Sequence, residues 1–156
     1  MCFILEGMKL VDSEYSGTCR PKSVLYVCGK NSIRSPIAEA LTRKMFPDIY
    51  VASAGVVKGE RDPFAAFVIS EDGLSLDAHN PRGLEELSDG FFDLVITLTP
   101  QAHHAVLDEM RSFSVEVEYW PTSDPALTMG SREQILDAYR NIRETLKQRI
   151  FERFNR

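Results

Sequence analysis

Apolar and polar positions along this chain alternate between two periods. Val24-Leu25-Tyr26-Val27 is a short continuous run rich in β-formers, which predicts a buried strand. Ile37, Ala40, Leu41 and Met45 then recur at helical spacing, with Glu39, Arg43 and Lys44 on the other side. They predict a helix over 36–46, opened by Pro36 and ended by Pro47; a first-turn proline loses only an N–H that would be unpaired anyway. The pattern continues with a strand at 49–52, a helix at 63–71 stopped by Gly73, a helical turn at 83–87 and a strand at 94–98. A helix over 101–110 has Thr99 as N-cap and Pro100 at its first position. Residues 115–119 read as the fourth strand and 120–130 as a loop. Ser131 and Gln134 make a capping box for a long last helix, whose apolar face runs through Leu136, Tyr139, Ile142, Leu146 and Ile150.

Strands and helices that alternate in this way predict an α/β fold: an open four-stranded parallel sheet with helices on both faces. Ligands of such sheets sit at the carboxyl ends of the strands, near a reversal of strand order. Residues 1–22 lack either period and contain Gly7, Ser13, Ser16, Gly17, Thr18 and Pro21. They predict a flexible or loosely docked extension, and 23–156 a single domain.

Composition narrows the function classes. Asp plus Glu is 23 against 18 Lys plus Arg, a net charge of −5, which argues against a general nucleic-acid binder. No apolar stretch approaches the ~18 residues of a membrane span. The N-terminal apolar run is broken by Glu6 and has no Lys or Arg before it, so it does not read as a secretory signal. Three cysteines fit a reducing compartment. The expectation is a soluble cytoplasmic protein without nucleic-acid or membrane partners. No Cys/His spacing suggests a metal site, and His103 and His104, on the predicted third helix, are expected in solvent.

The chemistry concentrates between Cys28 and Pro36. Cys28 ends the first predicted strand, and Arg34 stands at the mouth of the following helix. A loop running from strand to helix turns backbone N–H groups inward as a nest for an anion, and the helix start adds partial positive charge. A cysteine in such a place is held toward its nucleophilic thiolate form. An arginine beside it offers a planar fork for two phosphate oxygens. Gly29, Lys30, Asn31, Ser32, Ile33 and Arg34 are therefore the candidate oxyanion-binding residues, around Cys28 as nucleophile.

The segment VLYVCGKNSIRSPIAEA, Val24 to Ala40, resembles the signature of the low-molecular-weight protein tyrosine phosphatases. Thioredoxin-coupled arsenate reductases share that fold and loop. The resemblance extends over about 23–150. It implies a phosphocysteine mechanism with Cys28 as nucleophile, Arg34 as phosphate clamp, Ser35 as donor to the thiolate and Asn31 as the residue shaping the loop. Asp124 in YWPTSDPA resembles the family's general acid, whereas the second Asp-Pro pair, Asp62-Pro63, reads as a helix entry. Ser53 in VASAG and His79 in LDAHNPR resemble residues that orient Asn31. No metal or organic cofactor is implied. The partners implied are a phosphorylated protein or small phosphate monoester, with inorganic phosphate or another oxyanion in the loop.

Some positions depart from that pattern. Lys30 stands where the phosphatases typically have Gly and is expected to be solvated. Ser32 and Ile33 occupy positions where many members carry a second, protective cysteine; Cys19 on the extension is the candidate substitute. Ala126 and Leu127 replace aromatic residues that flank a phosphotyrosine ring. The region 97–104 has no cysteine to relay a disulfide outward as in the reductases. Three readings follow: a protein-tyrosine phosphatase first, then an arsenate reductase using an external thiol, then a non-catalytic phospho-ligand module.

Overall fold

In the computed structural model, which describes residues 20–87, 91–110 and 114–155, four strands form one parallel sheet. They are β1 (Ser23–Cys28), β2 (Tyr50–Gly55), β3 (Leu94–Thr97) and β4 (Glu116–Tyr119), in the order β2-β1-β3-β4. The helices are α1 (Arg34–Met45), α2 (Pro63–Ser70), α3 (Pro100–Glu109) and α4 (Arg132–Phe154), with 3-10 turns at Leu84–Glu86 and Pro125–Leu127. This is the α/β sheet that the periodicity predicts.

The continuous apolar run of β1 has a direct cause. Val24, Tyr26 and Cys28 face the layer of α1, α2 and α4, where Ile37, Leu41, Val68, Leu136 and Leu146 are buried. Leu25 and Val27 face the other way, toward Ala102 and Val106 of α3. With a strand on each side and helices on both faces, β1 is buried from Val24 to Cys28. The edge strand β4 instead carries Glu116 and Glu118 and stays partly exposed, which blunts its free edge.

Three helices start as the sequence indicates. Asp62 Oδ1 accepts from the N–H groups of Phe64 and Ala65, Thr99 caps α3, and the Ser131–Gln134 box opens α4. The fourth differs. Helix α1 begins at Arg34, two residues earlier than predicted, because Pro36 sits in the first turn, where backbone N–H groups need no intrahelical partner. Only Gly29 to Ile33 remain between strand and helix, a tighter loop than the periodicity suggests.

The chain leaves β1 for β2 on one side, then crosses to β3 on the other. The loop after β1 thus lies at the reversal of strand order, where open sheets leave a crevice. Arg143, largely buried, donates to the Val68 carbonyl (2.7 Å) and Glu71 Oε1 (2.9 Å), which fastens the end of α2 to α4. Residues 20–22 of the expected extension lie against the body: Arg20 donates to the Phe154 carbonyl (3.0 Å) and pairs with Asp48 (3.0 Å), and the Lys22 N–H donates to Asp93 Oδ2 (2.8 Å). Residues 1–19, with Cys2 and Cys19, lie outside the described residues. Among the described residues no helix is long and apolar enough to cross a membrane.

Candidate active site

The loop Gly29–Ile33 is fastened from outside. The carbonyl of Cys28 accepts from the Val56 N–H (2.9 Å), that of Gly29 from Val57 (3.0 Å) and that of Lys30 from Gly59 (2.9 Å). His79 Nε2 donates to the Asn31 carbonyl (3.0 Å), and a carbonyl that only accepts fixes the imidazole tautomer. In a trans peptide the C=O and N–H point opposite ways. Four consecutive carbonyls turned outward therefore turn the N–H groups of Gly29, Lys30, Asn31 and Ser32 inward. They join the start of α1, whose cap position is Ile33 and whose first turn receives no side-chain cap. Among the four α-helices of the described residues it alone is left so.

Asn31 bends the loop. Its φ of 59° lies in the left-handed region that asparagine tolerates better than most residues. Every polar atom of its side chain is used. Nδ2 donates to Ser35 Oγ and Ser53 Oγ, both at 2.9 Å, and Oδ1 accepts from the Arg82 N–H at 3.0 Å. Ser53 Oγ donates in turn to Glu39 Oε1 (2.6 Å), and Arg82 Nε donates to the Ser53 carbonyl (3.2 Å). Ser35 Oγ, already an acceptor, has one hydrogen left; the Cys28 sulfur lies at 2.9 Å and the Ala54 carbonyl at 3.4 Å.

A cavity of about 560 Å³ opens above the loop, lined by Cys28, Gly29, Lys30, Ser32, Ile33, Arg34, Asp124 and, across from them, residues 58–62 and Ala126. Arg34 Nη1 donates to the Thr122 carbonyl (3.0 Å), and Nη2 stands 3.9 Å from Asp124 Oδ2. Its Nε is buried without a hydrogen-bond partner, one of two such side-chain nitrogens among the described residues, with Arg153 Nη1. An unpaired buried donor costs about 1–3 kcal/mol, so a ligand oxygen at Arg34 would recover a real sum. Asp124 Oδ1 accepts from the Ala126 N–H (3.0 Å), so Oδ2 is the oxygen turned toward Arg34.

The structure therefore brings Cys28, Gly29, Lys30, Ser32, Ile33, Arg34 and Asp124 around one cavity and sets Asn31, Ser35, Ser53 and His79 behind the loop as its supports. Lys30 is exposed at the mouth. His104 is exposed as expected, but His103 is not free: its Nδ1 lies 2.9 Å from Thr97 Oγ1 and its ring stacks on Tyr119. Among the described residues no group of His, Cys, Asp or Glu is arranged to hold a metal ion.

The sequence profile of the low molecular weight phosphotyrosine protein phosphatases matches residues 23–155. The chain belongs to this family. A curated relative, the low molecular weight protein-tyrosine-phosphatase Wzb of Salmonella typhi, is 35% identical over 131 residues, covering 80% of this chain and 81% of its own. The crystal structure of the Erwinia amylovora tyrosine phosphatase amsI superposes with a TM-score of 0.70 at 26% identity, over 88% of this chain and 96% of that one. An arsenate reductase in its phosphate binding state gives 0.67 at 26% identity, over 84% and 95%. The chain is thus a hydrolase of the phosphatase family whose fold is shared with arsenate reductases.

Several residues of this phosphatase site escape sequence reasoning. A Cβ on Gly55 would stand 2.6–2.7 Å from backbone atoms of Val57, Asn31 and Lys30, and one on Gly59 would meet Lys30 and Ser32. Both glycines let the 55–59 segment lie against the loop. The small residues of VASAG hint at that approach, but Arg82, Glu39 and the wall at 58–62 carry no local signal.

The second Asp-Pro pair also stands here. Asp62 lines the cavity, yet Oδ1 caps α2 and Oδ2 accepts from Tyr139 (2.9 Å). Burial, reinforced by the Asp62 carboxylate, pushes the Tyr139 phenol well above its ordinary value, so it remains a donor. Asp62→Ala is expected to lose about 0.5–2 kcal/mol of stability with the cap and to leave the leaving-group dependence of turnover unchanged. A rate that becomes strongly sensitive to leaving-group basicity in this variant would make Asp62 the proton donor.

Proposed function

We propose that this phosphatase hydrolyses phosphotyrosine in proteins through a phosphocysteine intermediate. Cys28 Sγ attacks phosphorus as a thiolate; the S–P bond forms while the ester P–O bond breaks, and the departing phenolic oxygen takes the proton of Asp124. The Asp124 carboxylate then removes a proton from water, whose oxygen attacks phosphorus and releases the thiolate and inorganic phosphate. Through both steps the inward N–H groups and the Arg34 fork hold the equatorial oxygens, and the Ser35 hydroxyl donates to the sulfur. The carrying observation is the buried, unpartnered Nε of Arg34 beside an uncapped helix start, on a residue that lines the cavity of Cys28.

Supporting this reading are the relatives named as protein-tyrosine-phosphatases and the likeness to a reductase in a phosphate binding state. Ala126 and Ile33 give the phenyl ring an aliphatic wall in place of an aromatic one.

The decisive assay sets an aryl phosphate against arsenate with glutathione. Hydrolysis of the aryl phosphate without arsenate reduction is expected, since a carboxyl group at Asp124 serves the departing oxygen of an ester and has no part in the reduction of arsenate by a thiol. Thiol-dependent arsenite formation without ester hydrolysis would overturn the reading. Asp124→Asn is expected to slow a basic leaving group by about 10²–10⁴ and an activated nitrophenol far less. Equal losses on both esters would remove Asp124 as proton donor.

A further inference from the structure

We propose that a second cavity, beside the phosphate loop, is a subsite for an uncharged apolar side chain next to the phosphorylated residue of a peptide substrate. The proposal rests on the phosphatase reading above. The cavity has a volume of about 380 Å³, and its lining includes Ser32, Asp62, Pro63, Ala66 and Leu76. That is within the range of sites that hold organic groups, about 300–1,000 Å³.

Position ties it to the reaction. Ser32, Arg61 and Asp62 line both this cavity and that of Cys28. A chain that places its phosphoryl group on the loop therefore has a neighbouring residue within reach of Ala66.

Its chemistry selects the occupant. Several polar groups of its wall are engaged within the protein. Asp62 gives one oxygen to the start of α2 and the other to Tyr139, His79 Nε2 is held by the Asn31 carbonyl, and Arg61 Nη2 donates to Asn80 Oδ1 (3.0 Å). Between them lie the Pro63 ring, the Ala66 methyl and Leu76, which packs against the main core. A polar side chain would have to displace these internal bonds or reach the rim at Ser32, Arg61 and Asp77, and an acidic one meets Asp62 and Asp77 as well as Arg61. A leucine-like or aromatic side chain gains by leaving water.

The test measures binding, so it does not depend on turnover. Titration calorimetry of the wild-type chain uses peptides carrying a phosphonate analogue of phosphotyrosine, flanked on both sides by leucine or by serine. The leucine peptide is expected to bind about 10-fold or more tightly. Ala66→Leu, which fills the cavity, should erase the difference, and Ala66→Glu should erase it and favour a lysine-flanked peptide. Either variant suffices if the other fails to fold. Equal affinities in the wild type overturn the subsite. So does a leucine preference that survives at Ala66, which would place it elsewhere, for instance at exposed Leu127 or Met129. Turnover of an aryl phosphate, measured separately, tests the phosphatase reading alone.

Discussion

Cys28→Ser is expected to lower turnover of an aryl phosphate by about 10⁴-fold or more and to leave inorganic phosphate bound with nearly wild-type affinity. The size follows from removing a nucleophile that defines the chemical path, a loss of a kind that other groups of a site do not replace. The retention follows from the cradle's construction. Its inward donors are backbone N–H groups, fixed by bonds from Val56, Val57, Gly59 and His79 that do not involve the sulfur. A serine hydroxyl takes the place of the thiol against Ser35 without disturbing Asn31. Stopped-flow release of phenol and calorimetric titration with phosphate check the two halves. Turnover within tenfold of wild type would remove Cys28 as nucleophile; loss of phosphate binding in a folded variant would mean that the cradle depends on the sulfur.

Arg34→Lys is expected to cost about 10²–10³ in kcat although the charge is kept. A lysine is a point charge on a flexible stem, whereas the guanidinium presents donors in a rigid plane. Here the plane has divided duties. Nη1 holds the Thr122 carbonyl and so the segment that carries Asp124, Nη2 faces the Asp124 carboxylate, and Nε remains for a ligand oxygen. A lysine cannot serve all three. The loss should appear mainly in kcat, because the nest survives to bind the ground state, and the leaving-group dependence should steepen as Asp124 loses its anchor. Wild-type kcat in the lysine variant would show that charge alone suffices.

Different parts of this architecture are written at different ranges in the sequence. The run at Val24–Val27, the Thr99 cap and the Ser131–Gln134 box are local signals, and each forms where it is written. The Cys28–Arg34 segment is legible for the same reason: strand, loop and helix start are contiguous. The true start of α1 is not, because Ser35 and Pro36 weaken the helical period in a turn where propensity counts least. His103 reads as solvated from its own helix, yet it meets Thr97 and Tyr119, which face each other across β3 and β4. Such a contact belongs to the register of the sheet. Gly55, Arg82 and Asp62 are likewise defined by elements distant in the chain, so their roles emerge only once the chain has folded.

The unfinished start of α1 sets stability against function. A side-chain cap is worth about 0.5–2 kcal/mol to a helix, and α1 forgoes one while Arg34 keeps a buried donor unpaired. The free protein gives up stability at these points, and they are the groups that a phosphoryl oxygen would complete in the proposed reaction. Selection for a more heat-resistant chain would therefore find ready improvements in this loop, and on the proposed mechanism they would be the substitutions that silence the enzyme.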